Sequence, residues 1–113
     1  NAEIAMEILK SGGFKVDLAQ DGEQCISILD EKPEGYYDAV LMDIQMPKMN
    51  GYEAAKAIRK GGKNEDIPII AMTANAFEED REKALQMGMN AHVAKPIDVE
   101  KLFAILEACL KKN

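Results

Sequence analysis

An acid, a hydroxyl and an ammonium group each stand at the end of a short apolar run in this sequence: Asp43, Thr73 and Lys95. Each alone has an ordinary explanation, because an Asp after a strand is usually a cap or a loop residue. Thr is a common β-branched strand residue, and a single Lys is a common surface charge. Three complementary groups at three successive strand ends instead predict a shared site, since the carboxyl ends of parallel strands meet at one edge of a sheet.

The chemistry that suits these groups is transfer of a phosphoryl group onto a carboxylate. A carboxylate such as that of Asp43 can act as a nucleophile and form an aspartyl phosphate. The Lys95 ammonium and the Thr73 hydroxyl can each hold a phosphoryl oxygen. Mg²⁺ normally accompanies such transfers and prefers oxygen ligands, of which Asp43 and the backbone carbonyl of Gln45 could supply two.

The elements that must position these groups alternate along the chain. Helical spacing of apolar residues predicts a first helix from residue 2 to about 10, and Gly12 and Gly13 follow it. The predicted order is αβαβαβαβα, which favours a parallel sheet with helices on both faces. The predicted strands are Lys15 to Ala19, Asp38 to Asp43, Ile67 to Met72 and Ala91 to Ala94.

Capping residues mark where three of the helices begin. Asp21 with Gln24, and Asn50 with Glu53, have the spacing of a capping box, in which two side chains bond each other's backbone amides. Asp98 is expected to cap the last helix. A further helix is predicted from Glu78 to Met87, closed by Gly88.

The composition limits the possible classes of protein. The 113 residues suffice for one domain with its own core, and the hydrophobic fraction of 47% argues against disorder. A net charge of -6 disfavours direct contact with nucleic acid or with an anionic membrane. Cys25 and Cys109 lack metal-binding spacing, and no apolar run is long enough for a membrane span, so we expect a reduced, cytoplasmic protein.

Three segments resemble the site segments of the receiver domains of two-component response regulators. They are D-A-V-L-M-D-I-Q-M-P-K-M-N-G at residues 38–51, P-I-I-A-M-T-A-N-A at residues 68–76, and A-K-P at residues 94–96. The sequences M-D-I-Q-M-P and M-T-A-N-A-F are most similar to those of receivers attached to hybrid sensor histidine kinases. The resemblance extends over the whole chain.

The resemblance implies a three-layer, flavodoxin-like α/β fold with a doubly wound parallel sheet of order 2-1-3-4-5. It also implies that Asp43 accepts a phosphoryl group from a phosphohistidine of a partner protein, and that Thr73 and Lys95 contact that group. The protein would then be a switch that assists its own phosphorylation and dephosphorylation, with Mg²⁺ as cofactor, rather than an enzyme.

The resemblance also implies roles for three further residues. His92 matches the family's switch residue, which is usually aromatic, and would act together with Thr73. A partly buried imidazole without a signalling role is the alternative. Gln45 and Asn75 match the two variable positions that tune how long the phosphoryl group survives.

The sequence departs from the family's pattern at its beginning. The family has an acidic pair at the end of its first strand, where it helps to bind Mg²⁺, and that strand has no match in this sequence. Asp17 and Asp21 are not substitutes, because Asp17 falls inside a predicted strand and Asp21 caps a helix. We therefore expect residues 1–113 to form a single, N-terminally incomplete receiver domain whose first strand and remaining acidic metal ligands lie upstream of Asn1.

Three functions stay open on the sequence alone. The first is the phosphoacceptor switch, with a histidine kinase or a histidine phosphotransfer domain as partner and a dimer as a further possibility. The second is a pseudo-receiver, a protein-binding module that is not phosphorylated because its metal site is incomplete. The third is a metal-dependent phosphohydrolase with an aspartyl nucleophile, which the short loops disfavour because they offer no cap over a substrate.

Overall fold

The computed structural model describes most of the chain, at residues 2–19, 21–33, 35–44, 50–61, 66–73, 78–94 and 97–110. The helices are α1 (Ala2–Ser11), α2 (Gly22–Glu31), α3 (Gly51–Lys60), α4 (Glu78–Gln86) and α5 (Val99–Leu110). The strands are β1 (Val40–Asp43), β2 (Ile69–Thr73) and β3 (Ala91–Ala94). Within the described ranges no helix is long and apolar enough to cross a membrane.

The three strands form one parallel sheet in the order β1-β2-β3. Val40 lies opposite Ile69 in the first pair, and Ile70 lies opposite Ala91 in the second. Strand β2 is therefore the central strand, hydrogen-bonded to a neighbour on each side. The fold is α/β with a parallel sheet, as the alternation of helices and strands predicts.

Alternate residues of β2 belong to two separate apolar cores, one on each face of the sheet. Ile69 and Ala71 pack into a core that α2, α3 and α4 complete, which we call the α3-side core. Ile70 and Met72 pack into a second core that α1 and α5 complete, the α5-side core. All five residues of β2 are buried. A parallel strand that is buried on both faces of its sheet is usually a near-continuous apolar run, and β2 has this pattern.

One predicted strand, Lys15 to Ala19, is wrong. The structure describes these residues, but they form no strand. A strand exists only where a neighbour accepts and donates the backbone hydrogen bonds, and the described sheet consists of β1, β2 and β3 alone. The segment is instead attached through a side chain, because the Tyr37 hydroxyl donates a 2.6 Å hydrogen bond to Asp17. This bond is the main reason that the pKa of Tyr37 is raised to about 12.

The predicted helix starts match the structure closely. Asp21 precedes α2 and accepts a 2.8 Å hydrogen bond from the Gln24 amide, and Asp98 accepts one of 3.2 Å from the Lys101 amide at the start of α5. Each bond satisfies an amide that the first helical turn cannot pair internally. On α2, burial raises the pKa of the Cys25 thiol to about 11, so this cysteine stays protonated and unreactive near neutral pH.

A polar cluster ties together the elements at the amino ends of the strands. The Arg59 guanidinium donates through Nε to the Gly88 carbonyl at 2.9 Å and through Nη2 to Asn90 Oδ1 at 2.8 Å. The same Asn90 side-chain oxygen accepts a 2.8 Å hydrogen bond from the Ile69 backbone amide. The Asn90 backbone amide donates to the Ile69 carbonyl at 2.7 Å. One side chain thus joins the end of α3, the start of β2 and the loop before β3.

Asn90→Ala should lower the free energy of unfolding by ~1–3 kcal/mol, because the buried Ile69 amide loses its acceptor. Asn90→Asp keeps an oxygen in that place and faces the positive charge of Arg59, so it should cost clearly less. Urea denaturation followed by circular dichroism measures both. Equal losses in the two variants would contradict the proposed importance of the acceptor.

Candidate functional site

The carboxyl ends of β1 and β2 bring two of the predicted site residues to one edge of the sheet. Asp43 is the last residue of β1 and lies opposite Met72, the residue before Thr73. Thr73 is the last residue of β2 and lies opposite Ala94, the last residue of β3. An acid and a hydroxyl that are thirty positions apart in the sequence are therefore one step apart in the register.

Three predicted site residues, Gln45, Asn75 and Lys95, lie outside the described residues. For Lys95 the structure gives the position of its neighbour, because Ala94 ends β3 at the same edge as Asp43 and Thr73. The predicted roles of these three residues stay predictions.

Thr73 is the only polar side chain among the described residues that is buried, with 7% of its surface exposed. Polar groups are rarely buried without a hydrogen-bonding reason, since desolvating a hydroxyl costs free energy. The strand around it consists of apolar residues from Ile69 to Met72. This buried hydroxyl lies at the carboxyl end of β2.

His92 lies on β3, opposite Ala71. Side chains alternate between the two faces of a sheet, so Ala71 and Thr73 share one face. The registers Ala71–His92 and Thr73–Ala94 then make His92 the diagonal neighbour of Thr73 on that same face. The imidazole is partly buried, which permits contact with the α3-side core without enclosing the ring.

The start of α3 is bonded to the residue that follows Asp43. Ile44 donates its amide to the Met72 carbonyl at 3.1 Å and accepts at its own carbonyl from the Gly51 amide at 3.0 Å. Asn50 and Glu53 form the predicted capping box, with amide-to-side-chain distances of 2.9 and 3.1 Å. The strand end that carries Asp43 is thus fixed to β2 on one side and to α3 on the other.

A second contact joins α4 to the start of α3. The Lys83 ammonium lies 4.9 Å from the centroid of the Tyr52 ring, within the range of a cation–π interaction. Tyr52 is the second residue of α3. A displacement of α4 would therefore change this contact at the start of α3, which adjoins Asp43.

The described residues do not by themselves complete a divalent-cation site. No group of three His, Cys, Asp or Glu side chains in the described ranges is arranged to hold a metal ion. Asp17 accepts a hydrogen bond from Tyr37, and Asp21 caps α2. Of the predicted ligands, the structure places Asp43, and the Gln45 carbonyl lies outside the described residues.

The family model for the response regulator receiver domain matches residues 1–107. This chain belongs to the response regulator receiver family. The match covers the three strands and nearly all of the five helices. The flavodoxin-like α/β class expected from the sequence is confirmed by the likeness to solved receiver structures, one of which is described below.

This receiver domain is similar to part of a histidine kinase and to part of a transcriptional regulatory protein. It is 39% identical over 116 residues to hybrid signal transduction histidine kinase I of Dictyostelium discoideum, covering 99% of this chain and 7% of that protein. It is 36% identical over 110 residues to the transcriptional regulatory protein CpxR of Escherichia coli K12, covering 97% of this chain and 44% of that protein. The chain therefore spans less than half the length of either relative.

A solved structure of high similarity is the receiver domain of the sensor histidine kinase PA1611 from Pseudomonas aeruginosa PAO1. The TM-score is 0.86 at 39% sequence identity, covering 97% of this chain and 88% of that one. That crystal structure has a magnesium ion coordinated in its active site cleft. This chain is thus a receiver domain of two-component signalling by sequence and by fold.

One residue at this site was not singled out from the sequence. Gly51 lies within the first of the three site segments, and no sequence pattern indicates a role for it. Its residue type is the available signal, because glycine is a poor helix former and yet stands at the first position of α3. The Gly51–Ile44 hydrogen bond gives that position a direct link to the strand that carries Asp43.

Replacing the cap of α3 should loosen this receiver domain at the site. Asn50→Ala is expected to lower the free energy of unfolding by about 1 kcal/mol, because the Glu53 amide loses its acceptor. Asn50→Asp keeps an accepting oxygen and should remain close to the original stability. Urea denaturation compares the two. If Asn50→Ala is as stable as Asn50→Asp, the capping box contributes nothing measurable here.

Proposed function

We propose that this receiver domain is a phosphorylation-dependent switch in a two-component phosphorelay and that Asp43 is its phosphoacceptor. The observation that carries the proposal is the register of the sheet, in which Asp43, Thr73 and the strand end before Lys95 share one edge. The phosphoryl donor is a phosphohistidine on a histidine kinase or on a histidine phosphotransfer domain. Membership of the receiver family, together with relatives named as histidine kinases, supports this choice of donor.

The proposed transfer conserves atoms and charge without a further reactant. An Asp43 carboxylate oxygen attacks the phosphorus, a P–O bond forms, and the P–N bond to the donor's imidazole breaks. The imidazole leaves with the electron pair of that bond as a neutral ring, because its other nitrogen already carries a proton. The Thr73 hydroxyl donates a hydrogen bond to one phosphoryl oxygen, and the Lys95 ammonium neutralises part of the charge. Gln45 and Asn75 then set how readily water reaches the aspartyl phosphate.

Magnesium is the proposed cofactor, but the described residues alone do not form its site. Asp43 and the Gln45 carbonyl are two proposed oxygen ligands, and the others would come from outside the described residues. The second candidate is a pseudo-receiver that binds partners without being phosphorylated. The two candidates differ in whether Asp43 takes up a phosphoryl group.

The proposed conformational response runs from Thr73 to His92. A phosphoryl group on Asp43 draws the Thr73 hydroxyl toward the edge of the sheet. Thr73 and His92 are diagonal neighbours on one face, so the space beside His92 changes when Thr73 moves. The imidazole then turns inward, and β3 and α4 present a different surface to a partner. Such a response is a shift in population between two conformations.

Asp43→Asn should abolish phosphorylation and leave the fold intact, since the exchange keeps the size of the side chain and removes the nucleophile. The measurement is intact-mass spectrometry after incubation with a small acyl phosphate and Mg²⁺, followed by peptide mapping. The unmodified protein should gain one phosphoryl group, as should Asp38→Asn, which changes an exposed acid close to β1.

The outcomes of that experiment separate the candidate functions. Label at one site in Asp43→Asn would overturn the assignment of the phosphoacceptor. An unlabelled parent protein at every Mg²⁺ concentration indicates a pseudo-receiver when the protein tested includes the strand and acidic pair expected upstream of Asn1. Rapid turnover of many donor molecules per protein, with little label retained, indicates a phosphohydrolase instead.

The switch predicts that phosphorylation moves the NMR signals of His92 but leaves those of Leu9, in the α5-side core, nearly unchanged. Thr73→Val removes the hydroxyl and keeps the branched shape, so it should accept a phosphoryl group without moving the His92 signals. Thr73→Ser keeps the hydroxyl and should retain the response. Unmoved His92 signals in the phosphorylated parent protein would show that this residue has no part in a switch.

A further inference from the structure

The first residue of α3 lies against the backbone of the strand end that carries Asp43. An ideal Cβ built on Gly51 would lie 2.7 Å from the Asp43 carbonyl oxygen and 2.8 Å from the Ile44 Cα. It would also lie 3.1 Å from the Asp43 carbonyl carbon. Non-bonded carbon atoms prefer separations of about 3.5–4.0 Å, so a side chain at this position has no room.

The three atoms that such a Cβ would meet are all backbone atoms, which cannot swing aside as the end of a flexible side chain can. The Ile44 amide is held by the Met72 carbonyl, and the Ile44 carbonyl is held by the Gly51 amide. The peptide between Asp43 and Ile44 is thus enclosed between β2 and α3. Any added atom on Gly51 must displace either this peptide or the start of α3.

The requirement at Gly51 is one of space, not of backbone conformation. Among the described residues, the glycines with positive φ are Gly13, Gly35 and Gly88, whereas Gly51 is a buried residue within α3. Alanine is a better helix former than glycine, so the helix itself gains nothing from Gly51. One turn further along, Ala54 and Ala55 are fully buried against the sheet, which continues the close approach of α3.

We propose that Gly51 is a positioning residue for phosphorylation. Its missing side chain lets the start of α3 hold the Asp43 peptide in place, and this contact sets the distance from the Asp43 carboxylate to the Thr73 hydroxyl. The inference rests on the proposed function, because it concerns the geometry of the same transfer. Gly51 acts through the backbone of Asp43 and does not touch the phosphoryl donor.

Gly51→Ala tests the proposal through the kinetics of phosphorylation by a small acyl phosphate with Mg²⁺. Displacing a reacting group by up to 1 Å can lower a rate by about 10²-fold, so we expect the rate constant at saturating donor to fall ~10–100-fold. The donor concentration for half-maximal rate should change by no more than about threefold, because the donor's contacts remain. The amide NMR signals of Ile44 and Thr73 should shift.

Two control variants of α3 separate positioning from stability. Gly61→Ala adds the same methyl group at the other end of α3, where φ is −69° and the nearest atom to an ideal Cβ is 3.5 Å away. Ala54→Gly destabilises the helix without adding an atom near Asp43. Both should retain the parent rate per folded molecule. Urea denaturation supplies the folded fraction, and sucrose keeps a weakened variant folded during the assay.

The results distinguish failure of this inference from failure of the proposed function. A Gly51→Ala protein that is phosphorylated at the parent rate per folded molecule would overturn the positioning role while leaving Asp43 as the phosphoacceptor. A rate loss of the same size in Ala54→Gly would also overturn it, because general loosening of α3 would then suffice. An unlabelled parent protein refutes the proposed function and this inference with it.

Discussion

The constraint on which the rest of this structure depends is the burial of β2 on both faces. All five of its residues are buried, and it is hydrogen-bonded to β1 on one side and to β3 on the other. A strand in that situation needs a layer of helices above and another below, which the α3-side and α5-side cores supply. All three strands run parallel, so their carboxyl ends lie at the same edge of the sheet. The candidate site lies at that edge and therefore depends on the same packing.

The residues at the two ends of the sheet differ in kind. At the amino ends, Arg59 and Asn90 bond the start of β2, the end of α3 and the loop before β3 into one polar cluster. Burial lowers the pKa of Arg59, but a guanidinium remains charged, and its bonds to Gly88 and Asn90 offset the loss of hydration. The carboxyl ends instead present Asp43 and a buried hydroxyl at Thr73. The Arg59 cluster and the candidate site thus lie at opposite ends of the strands.

Sequence patterns predicted those features that depend on neighbours within a few residues. The helices, the capping bonds of Asp21, Asn50 and Asp98, and β1, β2 and β3 appear where periodicity and capping spacing indicate them. The strand predicted at Lys15 to Ala19 is wrong, because strand formation depends on a partner and not on composition. The cluster around Asn90 and the contact at Gly51 were not predicted, since each joins residues that are distant in sequence or depends on a separation of a few tenths of an ångström.

A sheet packed in this way restricts how a change at Asp43 could spread. The middle of β2 cannot shift without opening both cores at once, so movement is confined to the strand ends and to the helices attached there. Thr73 is the point where β2 leaves the core, and His92 is its diagonal neighbour on β3. On the helical side, Gly51 and the Lys83–Tyr52 contact connect the same edge to α3 and α4. A phosphoryl group on Asp43 would therefore act on β3 and α4, at the edge of the sheet opposite the Arg59 cluster.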